Sequence, residues 1–128
     1  MNTKNFTLNE WAAVIHQNAV EHGWWDEDRS FAEVVALCHS ELSEALEEDR
    51  AGRPNLYCAA CGSPEEADAA MCTECNGVGK PEGKAIEMLD CVIRILDWCG
   101  KEGIDVDRLL AIKHNYNITR PYKHGKRF

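Results

Sequence analysis

Two segments decide the reading of this chain, HSELSEALEE at residues 39–48 and GKAIEMLDCVIRILD at residues 83–97. Each has the spacing of an amphipathic helix. Leu42, Ala45 and Leu46 recur in the first, and Ile86, Leu89, Val92, Ile93 and Leu96 in the second. Each also carries two acids three positions apart, Glu41 with Glu44 and Glu87 with Asp90. Residues three apart lie about 60° apart around a helix, so each pair projects from one face. The acids border the apolar stripes of two helices expected to pack together. Gathering four carboxylates without a cation is costly, through like-charge repulsion and lost hydration. The pattern therefore points to a divalent cation held by oxygen ligands, with Mg²⁺ the usual choice when the remaining ligand is a phosphate and Mn²⁺ the alternative. Asp97 follows Asp90 by seven residues, on the same side of its helix, as a further ligand or supporting acid.

Outward from these segments the chain reads as helix throughout. Thr7-Leu-Asn-Glu10 is a capping box, followed at helical spacing by Leu8, Trp11, Ile15 and Ala19, with a stop near Gly23. Ser30-Phe-Ala-Glu33 opens the second helix, which ends near Gly52. The third is expected to open at Pro81, with Glu82 in its first turn, and to end at Gly100 or Gly103. A fourth starts near Asp105 or Asp107, carries Leu109, Leu110, Ile112 and Tyr116, and ends at Arg120-Pro121. No segment alternates with period two over a useful length. The expected fold class is all-α, a four-helix bundle formed by residues 1–55 and 81–128, interrupted by an insert at residues 56–80 between helices two and three.

The insert has its own signature. Cys58-x-x-Cys61 and Cys72-x-x-Cys75 have the spacing of a zinc ribbon, in which two turns each offer two thiolates to a tetrahedral ion. So short a segment cannot hold a core, so bound Zn²⁺ supplies its folding free energy. Four thiolates leave no open coordination position, which makes this zinc structural. Residues 56–79 contain four acids and no lysine or arginine, which argues against a nucleic-acid backbone as the ligand. Cys38, Cys91 and Cys99 fall on apolar helix faces and read as small core residues.

A length of 128 residues fits one domain with a small insert, and 45% hydrophobic with 28% charged residues excludes wholesale disorder. No apolar run approaches the ~18 residues of a membrane span, and the N-terminus lacks signal-peptide features. A cytoplasmic location and no membrane partner are expected. The net charge of −8 is divided. Residues 26–50 are strongly acidic, whereas residues 113–128 hold Lys113, Arg120, Lys123, Lys126 and Arg127 and no acid. Lys113, Asn117 and Arg120 recur on one side of the fourth helix and its exit, where the cations suit phosphates and the amide suits phosphate or sugar. Tyr122 and Lys123 are weaker candidates. Trp24-Trp25 offers either a stacking surface for a base or a subunit contact.

The two acidic helices and the ending KHNYNITRPYKHGKRF at residues 113–128 resemble the MazG-like, all-α nucleoside triphosphate pyrophosphohydrolases. The resemblance covers most of residues 5–50 and 81–128; the long gap between Glu44 and Glu87 departs from the family pattern, and the cysteine insert accounts for it. It implies cleavage between the α- and β-phosphates of a (d)NTP, giving a (d)NMP and pyrophosphate in a cell of a bacterium or a phage-infected host. It implies Glu41, Glu44, Glu87 and Asp90 as Mg²⁺-binding catalytic residues, with Lys113, Asn117, Arg120 and Tyr122 on the nucleotide. It also implies a homodimer or homotetramer, in line with apolar stripes broader than one partner helix covers. The competing reading is a non-catalytic zinc-ribbon adaptor on a helical dimerisation scaffold, which leaves the four carboxylates unexplained.

Overall fold

The computed structural model describes residues 3, 5–62 and 80–127. It is mostly helical, with α1 (Leu8–Glu21), α2 (Phe31–Arg50), α3 (Lys84–Glu102) and α4 (Val106–Thr119), two short strands β1 (Tyr57–Cys58) and β2 (Pro81–Glu82), and a turn of 3₁₀ type at Tyr122–Gly125. Side chains set the helix starts. The Thr7 hydroxyl accepts a hydrogen bond from the Glu10 amide and the Glu10 carboxylate accepts one from the Thr7 amide, a complete capping box. Ser30 accepts from the Glu33 amide, and Asp105 from the Arg108 amide. Among the described residues no helix is long and apolar enough to cross a membrane.

The expected start of the third helix is corrected. Pro81 and Glu82 form a strand, paired antiparallel with Cys58 and Tyr57, and the helix begins only at Lys84. Gly83 imposes the delay. Its φ of +124° is one that side-chain-bearing residues rarely adopt, and its α-carbon lies against the Asn55 carbonyl, where a β-carbon would collide. The Ala85 amide then donates to the same carbonyl at 3.0 Å, fastening the start of α3 to the loop after α2.

The chain forms two compact units, residues 1–26 with 96–128 and residues 27–95, so α3 contributes to both. In the first, Ala12, Leu96 and Cys99 form a buried cluster covered by Trp11, Ile15, Trp98, Ile104 and Val106. Helices α1 and α4 cap each other. Asp107 accepts from the Leu8 and Asn9 amides at 3.1 and 3.2 Å, and Asn9 Oδ1 accepts from the Val106 amide at 2.7 Å. Amides left open at both helix starts are thus satisfied across the pair.

In the second unit, α2 and the first turns of α3 run in opposite directions. Lys84 Nζ donates to Asp49 at 2.7 Å toward one end, and Arg94 Nε donates to Glu41 at 2.7 Å toward the other. The Tyr57 hydroxyl and Arg53 both donate to Glu48, which ties β1 to α2. The inner face of α2 is the row Val34, Cys38, Glu41, Ala45 and Glu48; that of α3 is Glu87, Cys91 and Arg94. Leu42 and Leu46 sit one residue further on, about 100° around the helix. The leucine stripes are therefore only partly covered within one chain. Leu42, Leu46, Leu89, Val92 and Ile93 are exposed, as are Leu109, Leu110, Ile112 and Tyr116 on α4.

Gly100 marks the closest helix approach in the first unit, because a β-carbon there would meet the Ala12 carbonyl and the His16 β-carbon. Gly100→Ala is expected to destabilise the fold by about 1–3 kcal/mol despite its better helix propensity. Chemical denaturation measures the loss; an unchanged or raised stability would contradict the packing described.

Candidate metal centre

Three of the four expected carboxylates come together. Glu41 and Glu44 on α2 and Glu87 on α3 each offer an oxygen, and these oxygens all lie within 4.8 Å of one another. The burial is unusual for acids. Glu41 is 7% exposed and Glu87 8%, as deeply placed as the apolar residues of this unit such as Val34 and Ala45. Glu44 is exposed, so the cluster opens to solvent on its side. Asp90 is half-buried one turn along α3, outside the trio yet near enough to feel the charges of Glu41 and Glu44.

The electrostatics follow from that crowding. Burial first, then the hydrogen bond and charge of Glu44, and then Asp90 and Glu41, push the Glu87 carboxyl from 4.5 to about 8. Burial and the Glu41 charge likewise raise Asp90, with Arg94 opposing them. Arg94 is the one residue of this centre that sequence reasoning missed. Its Nε donates to Glu41 Oε1 at 2.7 Å, and its side chain is half-buried. The available signal was an arginine within the apolar run Val92-Ile-Arg-Ile-Leu96, seven residues after Glu87 on one helix face. One guanidinium does not balance four acids. The donor set, all hard carboxylate oxygen with one side open, fits Mg²⁺ or Mn²⁺.

The remaining expected residues are placed as follows. Lys113, Asn117, Arg120 and Tyr122 all belong to the first unit, and the carboxylates to the second. Lys113 and Arg120 both lie over the Tyr116 ring, at 4.9 and 5.8 Å from its centre. Asn117 Oδ1 is buried with no hydrogen-bond partner among the described residues. Tyr122 is 88% exposed. Asp97 has other partners than Asp90. It lies 2.8 Å from His16 Nδ1 and accepts from Trp25 Nε1 at 3.0 and 3.1 Å. Trp25 packs edge-on against His16, while Trp24 stays exposed. Of the cysteine quartet, Cys58 is buried at the end of β1, and the Gly62 amide donates to its carbonyl at 2.7 Å, closing a tight turn that contains Cys61. The Ala59 amide donates to the Lys80 carbonyl across the hairpin at 2.9 Å. Cys72 and Cys75 lie outside the described residues.

The raised Glu87 carboxyl yields a pH prediction. The unfolded chain releases this proton near 4.5 and the folded one near 8, so the folded state holds more protons between those values. Stability of the metal-free protein is then greatest below the lower value and falls as pH rises through about 8. A cation displaces the proton, so near pH 6.5 Mg²⁺ binding should release about one proton per ion, and fewer above pH 8.5. Calorimetry in buffers of different ionisation enthalpy measures this; binding without proton release would contradict the buried, protonated Glu87.

No protein-family model, no curated protein and no solved structure matches this chain.

Proposed function

We propose that the chain is a MazG-like, Mg²⁺-dependent nucleoside triphosphate pyrophosphohydrolase. The observation that carries this reading is the convergence of Glu41, Glu44 and Glu87, whose carboxylate oxygens lie within 4.8 Å of one another, two of the three residues being buried. Acids placed as deeply as core residues cost stability unless a cation offsets them, and a purely structural helix pair has no use for them. When bound there, Mg²⁺ neutralises phosphate charge and orients the phosphoryl group under attack. Glu41, held by Arg94, would hold the ion together with Glu87 and one oxygen of Glu44. Glu44, the exposed member, is placed to orient a water and take its proton as the water oxygen bonds the α-phosphorus. The bond from that phosphorus to the bridging oxygen breaks, and pyrophosphate leaves. Asp90 supports the set from the next turn. Lys113 and Arg120 take the outer phosphates, with Tyr122 as a lesser contact. The inward Asn117 oxygen is an acceptor, so it suits a sugar hydroxyl better than a phosphate.

Pyrophosphate release from a panel of nucleoside triphosphates, with and without Mg²⁺, tests this. At least one nucleotide should be cleaved only with metal. Glu41→Gln, Glu44→Gln, Glu87→Gln and Asp90→Asn should each lower turnover about 100-fold or more with helical content unchanged. Near-normal turnover in two or more of them would contradict the assignment.

Two features complete the proposal. The turn holding Cys58 and Cys61 at the base of the β1–β2 hairpin suits half of a structural Zn²⁺ site, with Cys72 and Cys75 as the other half by sequence spacing. The exposed leucines, isoleucines and valines of α2, α3 and α4 suit burial against a second chain, which would complete the four-helix bundle as a homodimer or homotetramer. Reduced protein purified without a metal-binding tag should carry about one zinc per chain and scatter light as a dimer or larger. Protein free of zinc, or a monomer at micromolar concentration, would contradict the respective feature.

A further inference from the structure

Helical spacing assigns Tyr116 to the apolar set of α4, and the structure gives its ring charged neighbours instead. Lys113, Tyr116 and Arg120 stand on one side of α4 and its exit, and both cations turn onto the tyrosine ring. Among the described residues neither cation makes an ion pair. The negative end of the helix accounts for a cation at Arg120, the C-cap of α4, but not for one at Lys113. That effect fades within the last turn, and Lys113 lies six residues before Thr119, the final residue of α4. The ring is not explained as core either, since Tyr116 is 56% exposed. A tyrosine face attracts cations through its quadrupole, and an arginine lies flat against it. Two like charges are thus held near each other by a neutral platform, and neither is spent on a carboxylate.

We propose that Tyr116 is a positioning residue that holds Lys113 and Arg120 ready for a chain of linked phosphates. The proposal rests on the pyrophosphohydrolase reading and adds to it how the phosphate-binding cations are kept in place. A carboxylate in the same position would hold the cations as well but would repel the substrate; an aromatic face holds them and leaves their charge available. Long side chains already ordered on the ring lose less freedom when the anion arrives. Because the ring touches no phosphate, its removal acts on binding and not on the chemical step. The face of the ring matters and the hydroxyl does not.

The test uses the full-length chain and inorganic tripolyphosphate, followed by calorimetry without Mg²⁺, together with steady-state kinetics on whichever nucleotide is cleaved. Tyr116→Leu should weaken tripolyphosphate binding and raise KM about three- to tenfold, with kcat changed less than about twofold. Tyr116→Phe should restore wild-type behaviour. In a Lys113→Ala, Arg120→Ala background, Tyr116→Leu should have almost no further effect. Circular dichroism checks folding, which an exposed position should not disturb. Wild-type binding and KM in Tyr116→Leu, or a Tyr116→Phe variant as weak as Tyr116→Leu, would overturn the role of the ring while leaving hydrolysis standing. Ring-dependent tripolyphosphate binding in a protein that cleaves no nucleotide would overturn the pyrophosphohydrolase reading alone. A wild type that does neither would overturn both.

Discussion

The second unit of this molecule is governed by the free energy of placing acids between two helices. Glu41 and Glu87 occupy positions on the inner faces of α2 and α3 that apolar residues would ordinarily take. Burial first, and then the hydrogen bond and charge of Glu44, push the Glu87 carboxyl up to about 8. The seam also carries two charged contacts, Arg94 on Glu41 and Lys84 on Asp49. With the inner faces given to charge, Leu42 and Leu46, one position further on, stay about half-exposed and line a shallow groove with Ala85 and Met88. The exposed apolar surface and the buried acids are two consequences of the same rotation of α2 and α3.

The first unit solves a different problem. Its apolar cluster around Ala12, Leu96 and Cys99 is small, and it depends on the close approach that Gly100 permits. Reciprocal capping between Asn9 and Asp107 satisfies amides at two helix starts with two side chains. His16, Trp25 and Asp97 then join α1, the turn after it and α3 through one shared carboxylate. These polar ties do here what a larger apolar core does in bigger domains. They also explain how a chain with few fully buried residues keeps well-defined helix ends.

Much of this was legible in the sequence, for local reasons. Thr7 with Glu10, Ser30, Asp105 and Gly103 act over one helical turn, so their residue types state where helices begin and end. The carboxylate trio was legible because three-residue spacing fixes a face on each helix. What was not legible depends on contacts between distant segments. Two-residue strands leave no periodic trace, so β1 and β2 have no signature in the sequence, and Pro81 has the look of a helix start although it pairs with Cys58. Periodicity says that leucines share a stripe but not which stripe meets the neighbouring helix. Arg94 and Tyr116 escaped because an arginine in an apolar run, or a tyrosine on a helix, shows its purpose only through its neighbours in space.

The central claim is that the buried acids form a cation site, and locating the cation tests it most directly. In crystals soaked with Mn²⁺, anomalous diffraction should place one ion with oxygens of Glu41, Glu44 and Glu87 at about 2.1 Å, the spacing of a hard divalent ion of this size. The carboxylates should lose their shared proton and turn toward the ion. Mn²⁺ absent from the trio at millimolar concentration would contradict the account.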